Sequence, residues 1–381
     1  MKVSLFGGFG EKGRTSVGIE TPGCRLILDV GINTSGKGAD AYPKVDAERL
    51  RRTDAILVTH AHEDHVGALG WCFANGFSGR VYMTAETRGD MREIVAAYDA
   101  VSGRSSLDFD SIETISPGAR FSIGNIGVST GRSGHIVGGI WYALSDGDRR
   151  LIYCGDVVPH SAVFEMDPLP SCNALLYDGS YGVDPIGTDA RIRDILAWID
   201  AHPHGCLLPT PLAGRSLELL AALKGVVAIH GSMREPLNAQ VAEHKWLRAG
   251  MGAELAARIA AARDWNEKAA LPDCPLLVHD GMGMTGPAAI ALARAGEERH
   301  PVLLTGHIPT GSPAERLLKA GQADWIRLPT HPTLPENQML LRGCSPQIAL
   351  AHSCSTQDME KLRVAFPAVS RTLVTGQEFT L

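Results

Sequence analysis

The sequence predicts an α/β chain in which a β-rich, metal-binding domain is interrupted by a second α/β domain. Three observations carry that expectation. Short apolar strands ending in polar loops fill the first third of the chain. After Gly182 the pattern changes to alternating strands and helices. Between them, VTHAHEDHVGALG at 58–70 crowds three histidines and two acids into six positions.

VSLFGG, CRLILDVG, AILVTH and GRVYMT each read as a strand that stops at a glycine or a polar loop. DHVGALGWCFANG places Val66, Leu69 and Phe73 at helical spacing, with Asp64 in position to cap the helix. RFSIG, IGVSTG, IWYALSD, RLIYCGD and NALLYDGSYG continue the strands. TDARIRDILAWIDA then sets Ile192, Ile195, Leu196 and Ile199 on one helical face. A strand CLLPTP and a helix GRSLELLAALKG follow, with a long Ala-rich helix predicted over roughly 236–263. CPLLVHDGMGMTGPAAIALARAG reads as strand, glycine turn and helix, and HPVLLTG as a strand. This alternation predicts a parallel sheet flanked by helices. WIRLPTH, QIALAHS and TLVTGQEFTL return the chain to strands.

In the histidine loop, residues i and i+2 of an extended segment face the same side, so His60 and His62 can grip one ion together. Asp64 and His65, past the turn, point to a second position nearby. Imidazole and carboxylate together suit zinc or a similar transition metal. Further ligands are expected where other strands end: His135 after IGVSTG, Asp156 after LIYC, and His352 in IALAHS. Asp156 could bridge two ions. Asp29, ending LILD, could orient a ligand histidine from behind. Gly306, Thr310, Gly311 and Ser312 form a glycine- and hydroxyl-rich loop of the kind that presents N–H groups to phosphate. Arg215 and Ser216 are further candidates for backbone-phosphate contact.

With 44% hydrophobic and 20% charged residues, the composition is that of an ordinary globular protein. Eight cysteines without a C-x-x-C pair read as reduced core residues of a cytoplasmic protein. No run approaches the roughly 18 apolar residues of a membrane span. The net charge of −6 does not favour a nucleic-acid binder, yet two divalent cations would offset much of it. Residues 184–322 carry 14 Lys/Arg against 15 Asp/Glu, so the acidity lies mainly where the candidate ligands are. Nothing excludes a homo-oligomer.

With Asp29, HAHEDH, His135 and Asp156 in this order, the chain resembles the metallo-β-lactamase superfamily. More narrowly it resembles the β-CASP nucleases. The carboxylate of LLYDGSYG (Asp178) is followed by an insert containing PTPLAGRSLELL, DGMGMTGPA and LLTGHIPTGSPAERLL, and then by His331 and His352. The opening LFGGFGEKGRTS resembles that of ribonuclease J-like members. There are departures: His331 lacks a nearby aspartate, His352 is followed by Ser-Cys, and His307 stands where the family has tyrosine.

The resemblance implies an αββα sandwich over 1–183 and 323–381, with a β-CASP domain over 184–322. It implies two zinc ions, with manganese as the alternative. His60, His62 and His135 would hold one ion, Asp64, His65 and His352 the other, and Asp156 would bridge them. Asp64, Asp178 and His331 would be catalytic, His331 serving the leaving group or the scissile phosphate and Asp178 orienting it. The implied activity is phosphodiester hydrolysis of nucleic acid. RNA is favoured over DNA because a histidine stands in the final motif, where the DNA-repair branch has valine. A DNA nuclease, a hydrolase of a small ester or thioester, and an inactive scaffold are the alternatives.

Overall fold

The computed structural model describes residues 1–102, 107–281 and 283–381; Met282, within DGMGMTGPA, lies outside them. The chain divides into two units. The first comprises Met1–Pro159, Met166–Pro185 and His331–Leu381, and the second His160–Glu165 and Ile186–Thr330.

The first unit is built on two large sheets. One has seven strands in the order Glu378–Thr380, Lys2–Gly7, Ser16–Thr21, Cys24–Leu28, Ala55–Leu57, Arg80–Thr84, Ile112–Ile115. The other has six: Ile348–His352, Ala174–Asp178, Arg149–Tyr153, Ile140–Asp146, Ile126–Arg132, Arg120–Ile123. The period of two along each strand distributes side chains to two buried faces. Ile27, Ile56 and Val81 pack with Leu69, Cys72, Met91 and Val95 of the helices Leu69–Ala74 and Ala85–Ser102. Trp141, Ile152 and Leu175 pack with Leu341 and Leu362 of the helices Leu334–Cys344 and Thr356–Ala365. Their neighbours face the opposite sheet: the Tyr142 hydroxyl lies 3.0 Å from the Val58 carbonyl and 3.2 Å from that of Tyr82. Two sheets back to back, with helices outside, make the αββα sandwich. Burial on both faces explains why strands such as AILV and IWYAL read as continuous apolar runs. Each fully buried aliphatic side chain there contributes about 1.5–3 kcal/mol.

Two local expectations are corrected. Asp64 does not cap the helix after the histidine loop. The short helix Glu63–Val66 has His62 in the capping position, without a side-chain cap, and Asp64 lies in its first turn. A second helix, Leu69–Ala74, follows after a break. The long helix over 236–263 is also broken, into Arg234–Ala242 and Met251–Ala261. Gly250, with φ of 86°, starts the second piece, while Trp246 and Leu247 turn into the core between them. Strong helix formers there yield to burial of a large apolar pair. All eight cysteines are buried and free of disulfides.

The second unit holds a parallel four-stranded sheet in the order Cys206–Pro209, Pro275–Val278, Ala228–His230, Arg263–Trp265. The helix Gly286–Glu298 lays Ala288, Ala291, Leu292 and Ala295 on its core, the 3.6-residue stripe of the sequence. Of WIRLPTH only Trp325 is in a strand, Asp324–Trp325, which pairs in parallel with Leu303–Leu304. His160–Glu165 belongs to this unit through Glu218. That buried carboxylate accepts from the Ser161 hydroxyl and the Ala162 N–H, while Arg248 Nη1 donates to the Ser161 carbonyl at 2.8 Å. Burial pushes the Glu218 carboxyl up to about 7 against those hydrogen bonds.

In the first unit, Leu334 N–H donates to the Asp184 carbonyl at 2.9 Å, so the longer of the chain's two excursions from this unit, Ile186–Thr330, begins and ends close to two hydrogen-bonded neighbours. No helix among the described residues is long and apolar enough to cross a membrane.

Candidate metal centre

The candidate ligands stand where strands of the first unit end. Beyond Ala55–Leu57 the chain runs through His60 without regular structure, bends at Ala61 and enters Glu63–Val66 from His62. This loop packs closely against the one after Cys24–Leu28. A Cβ on Gly31 would lie 1.7 Å from the Asp64 carbonyl oxygen, so glycine is required for the two loops to meet. Asp178 and His352 are register partners on adjacent parallel strands.

One donor group joins His60, His62, His135 and Asp156, with one ligand atom of each within 4.8 Å of the others. His62 Nδ1 is 3.0 Å from His60 Nε2 and 3.2 Å from His135 Nε2. Asp156 Oδ2 is 3.6 Å from Nε2 of both His60 and His135. Ligands about 2 Å from one tetrahedral ion stand about 3.3 Å apart, so these spacings fit a small divalent cation. Burial, with the neighbouring imidazoles, holds His60 and His135 well below the usual histidine range. They are therefore neutral, the form that ligates.

The second oxygen of Asp156 faces a second group. Oδ1 is 3.2 Å from His65 Nε2, and His65 Nε2 is 3.8 Å from Asp64 Oδ2. The His352 ring centroid is 6.3 Å from that of His65. His352 Nε2 is buried with no hydrogen-bond partner, and Asp156 Oδ1 and His65 Nε2 have only each other, outside good hydrogen-bond geometry. Polar atoms so poorly satisfied in one buried place are costly unless something else reaches them. A divalent cation fits this donor set. Burial opposes charge on Asp156, but His65 and His331 outweigh it and hold the carboxyl well below its usual range.

Groups behind the ligands fix the outer nitrogens, and of these Thr59, Tyr153 and Ser353 are ones that the sequence offers little means of finding. Asp29 is fully buried and accepts four hydrogen bonds of 2.7 Å each: from Thr59 N–H and hydroxyl, Tyr153 hydroxyl and His65 Nδ1–H. This last bond aims His65 Nε2 at Asp156. His60 Nδ1 meets the Thr59 hydroxyl at 3.0 Å, and His352 Nδ1 the Ser353 hydroxyl at 2.9 Å. Thr59 announces itself only by adjoining His60. Tyr153 lies on a strand 124 residues from Asp29.

Beside Asp156 sits an acid–imidazole pair. His331 Nδ1 donates to Asp178 Oδ2 at 2.8 Å and lies 3.6 Å from Asp156 Oδ2. Asp178 is fully buried, its carboxylate accepting from Ser180 N–H at 3.0 Å and its carbonyl from Asn337 Nδ2 at 3.0 Å. Burial works against charge on His331, but Asp178 and Asp156 outweigh it and push the imidazole up to about 10. Tyr181 meets the His331 ring edge-on, centroids 5.1 Å apart.

Arg215, Ser216, Gly306, Thr310, Gly311 and Ser312 lie in the second unit. Ser216 turns inward, its hydroxyl donating to the Pro211 carbonyl at 2.5 Å. Gly311 N–H donates to Glu315, and Ser312 Oγ accepts from Glu315 N–H. Ser312 therefore caps the helix Pro313–Lys319, and the Glu315 side chain reaches back to Gly311. Thr310 is exposed, and Arg215 and Gly306 are partly so.

A cation that satisfied these buried atoms would bind the folded chain alone. At a free concentration one hundred times Kd, each such ion contributes about 2.7 kcal/mol. Stripping the protein with a chelator is therefore expected to lower Tm by about 5–10 °C per ion, at 2–4 °C per kcal/mol for a unit of this size. Differential scanning calorimetry with metal analysis checks this; identical curves would mean that no ion resides here.

Residues 10–201 match the metallo-beta-lactamase superfamily. The chain is 28% identical over 256 residues to the transcription termination factor FttA of Methanothermobacter thermautotrophicus, covering 58% of this chain and 39% of that one. It is 26% identical over 243 residues to cleavage and polyadenylation specificity factor 73 of Drosophila melanogaster (58% and 35% covered). It is 25% identical over 250 residues to endoribonuclease YSH1 of Yarrowia lipolytica (60% and 30% covered). The matched region thus spans about a third of the length of these curated relatives. A crystal structure of a protein of unknown function from Enterococcus faecalis V583 superposes with a TM-score of 0.60 at 14% identity, covering 100% of this chain and 99% of that one, a likeness of fold.

Proposed function

This chain belongs to the metallo-beta-lactamase superfamily, its relatives fit the β-CASP branch of it, and on that premise we propose a metal-dependent phosphodiesterase that cleaves nucleic acid, RNA before DNA. The observation that carries the reading is the single buried carboxylate of Asp156, whose two oxygens face two separate groups of ligand atoms, with the Asp178–His331 pair alongside. The choice of nucleic acid rests on relatives named for RNA cleavage and transcription termination.

His60, His62 and His135 would hold one cation, and Asp64, His65 and His352 the other, with Asp156 common to both; zinc suits these donors better than manganese. Bound there, such ions acidify water and screen the charge of a phosphodiester. The remaining work falls to the chain. Asp29 and Ser353 keep His65 and His352 aimed inward. Asp178 accepts the Nδ1–H of His331 and stabilises the charged imidazole, leaving Nε2–H to donate to the departing oxygen. Arg215 contacts a backbone phosphate of the polymer.

The test offers end-labelled single-stranded RNA, DNA of the same sequence, bis(p-nitrophenyl) phosphate and a thioester to the wild type and to the Asp64→Ala/His65→Ala double variant. RNA cleavage that the variant lacks supports the reading. Turnover of the thioester alone would replace it, and faster cleavage of DNA would reverse the polymer preference.

The pH profile follows from the same pair. If His331 donates a proton, kcat falls as pH rises through its pKa. Cations on Asp156 would withdraw part of the support for the charged form. The descending limb is therefore expected between the ordinary value of about 6.5 and the raised value of about 10. Asp178→Asn removes the larger supporting charge and should move that limb to lower pH. A profile that ignores Asp178→Asn would exclude His331 as the acid.

A further inference from the structure

Trp325 is an exception to the rule that large aromatics are buried here. Its side chain is 39% exposed, on the strand Asp324–Trp325 of the second unit. It is nevertheless held in place. The indole Nε1–H donates to the Gly306 carbonyl at 2.8 Å, and the strand is in register with Leu303–Leu304. Arg327 Cζ lies 5.2 Å from the ring centroid. Gly306 also meets a cation: a Cβ there would stand 2.0 Å from Arg215 Nη1, so the guanidinium occupies the space a side chain would need. Arg215 Nη2 donates to the Thr330 hydroxyl at 3.2 Å. One glycine thus gathers an anchored, exposed indole and an arginine from a distant helix, with a second arginine against the indole. Residues 326–330 alone join Trp325 to His331.

From this juxtaposition we propose that Trp325 and Arg327 form a stacking platform for one unpaired base of single-stranded nucleic acid, with Arg215 at an adjacent phosphate. The proposal deepens the reading above and rests on its choice of nucleic acid as substrate. Every base has a π-face, and an indole fixed at its N–H end offers its own without further ordering. Arginine beside it adds a planar cation that stacks on bases and meets phosphate. Nothing in such a platform reads a base edge or a 2′-hydroxyl. It therefore accepts any base and does not distinguish RNA from DNA at this position. Its contribution is to hold the strand, not to choose its sequence.

The experiment compares wild type, Trp325→Ala and Trp325→Phe as folded, metal-loaded proteins. Affinity is measured by fluorescence anisotropy for a labelled ten-nucleotide RNA with phosphorothioate linkages and for an abasic oligomer of equal length. Hydrolysis of bis(p-nitrophenyl) phosphate is followed in parallel. Trp325→Ala should weaken binding of the RNA about ten-fold or more, within the range of one lost base–aromatic stack. Trp325→Phe should recover most of it. Neither change should alter binding of the abasic oligomer or turnover of the small diester. Equal RNA affinity in wild type and Trp325→Ala, with diester turnover intact, would overturn the platform and leave the phosphodiesterase reading standing. An equal loss for the abasic oligomer would also overturn it, since that outcome reports phosphate contact or disturbed folding. If wild type binds neither the RNA nor the abasic oligomer, the platform and the choice of substrate fail together.

Discussion

Asp156→Ala is expected to reduce phosphodiester hydrolysis by at least three orders of magnitude and to lower the bound cation count at both positions. The reason is that Asp156 serves two groups at once. Oδ2 stands 3.6 Å from His60 and His135, and Oδ1 stands 3.2 Å from His65. Any other single ligand contributes to one group only. Metal ions are worth several kcal/mol of transition-state charge stabilisation, and each 1.36 kcal/mol is ten-fold in rate. His135→Ala provides the contrast: it should weaken the cation of the His60 group and leave that of the His65 group. Metal content by mass spectrometry, measured beside turnover, separates the two variants. If Asp156→Ala retains two ions per chain, the shared-carboxylate arrangement is wrong.

Asp29→Ala should be the most destabilising substitution at the centre, costing about 3–5 kcal/mol, the range for removing one partner of a buried charged network. Four donors converge on this carboxylate at 2.7 Å, and the change would leave the buried Tyr153 hydroxyl, the Thr59 N–H and His65 Nδ1 unsatisfied. Backbone strain adds to the cost, because Asp29 adopts φ of 55°, a region that aspartate and asparagine tolerate better than alanine. Asp29→Asn separates the two contributions. It keeps the backbone preference and one acceptor oxygen but removes the charge and sets an NH₂ against the donors. We expect a smaller loss of stability, yet a 10–100-fold loss of metal affinity, as for other partners that orient a ligating imidazole. Urea unfolding and metal titration of the two variants measure this. Unchanged metal affinity in Asp29→Asn would mean that His65 is aimed by packing alone.

The strands around the centre were legible because burial on both faces writes them as continuous apolar runs, and because each ends at a polar residue with ligand chemistry. His60 and His62 could be paired from the period of an extended chain. Other features depend on contacts that local patterns do not carry. Asp29 meets Tyr153 across the space between two sheets, and no spacing rule joins residues so far apart. Asp64 had the chemistry of a cap, yet the turn that brings His62 and His65 together moved the cap to His62. The helix expected over 236–263 had the propensity but not the environment, since Trp246 gained more from burial than the helix from continuity. Ser216 looked available for phosphate because a hydroxyl in a glycine turn reads as exposed; it is buried. Trp325 gave no signal, because exposure is a property of the fold.

The hydrogen bond between Leu334 and Asp184 has an evolutionary consequence. An insertion whose two ends already touch imposes no stretch on its host, whatever its own length. Segments of the second unit between those points can be lost, gained or exchanged between lineages while the sandwich and its ligand constellation, with His331, are inherited intact. Diversification of substrates on this scaffold should therefore be written mainly between residues 186 and 330, and a comparison of distant homologues should find length variation concentrated there.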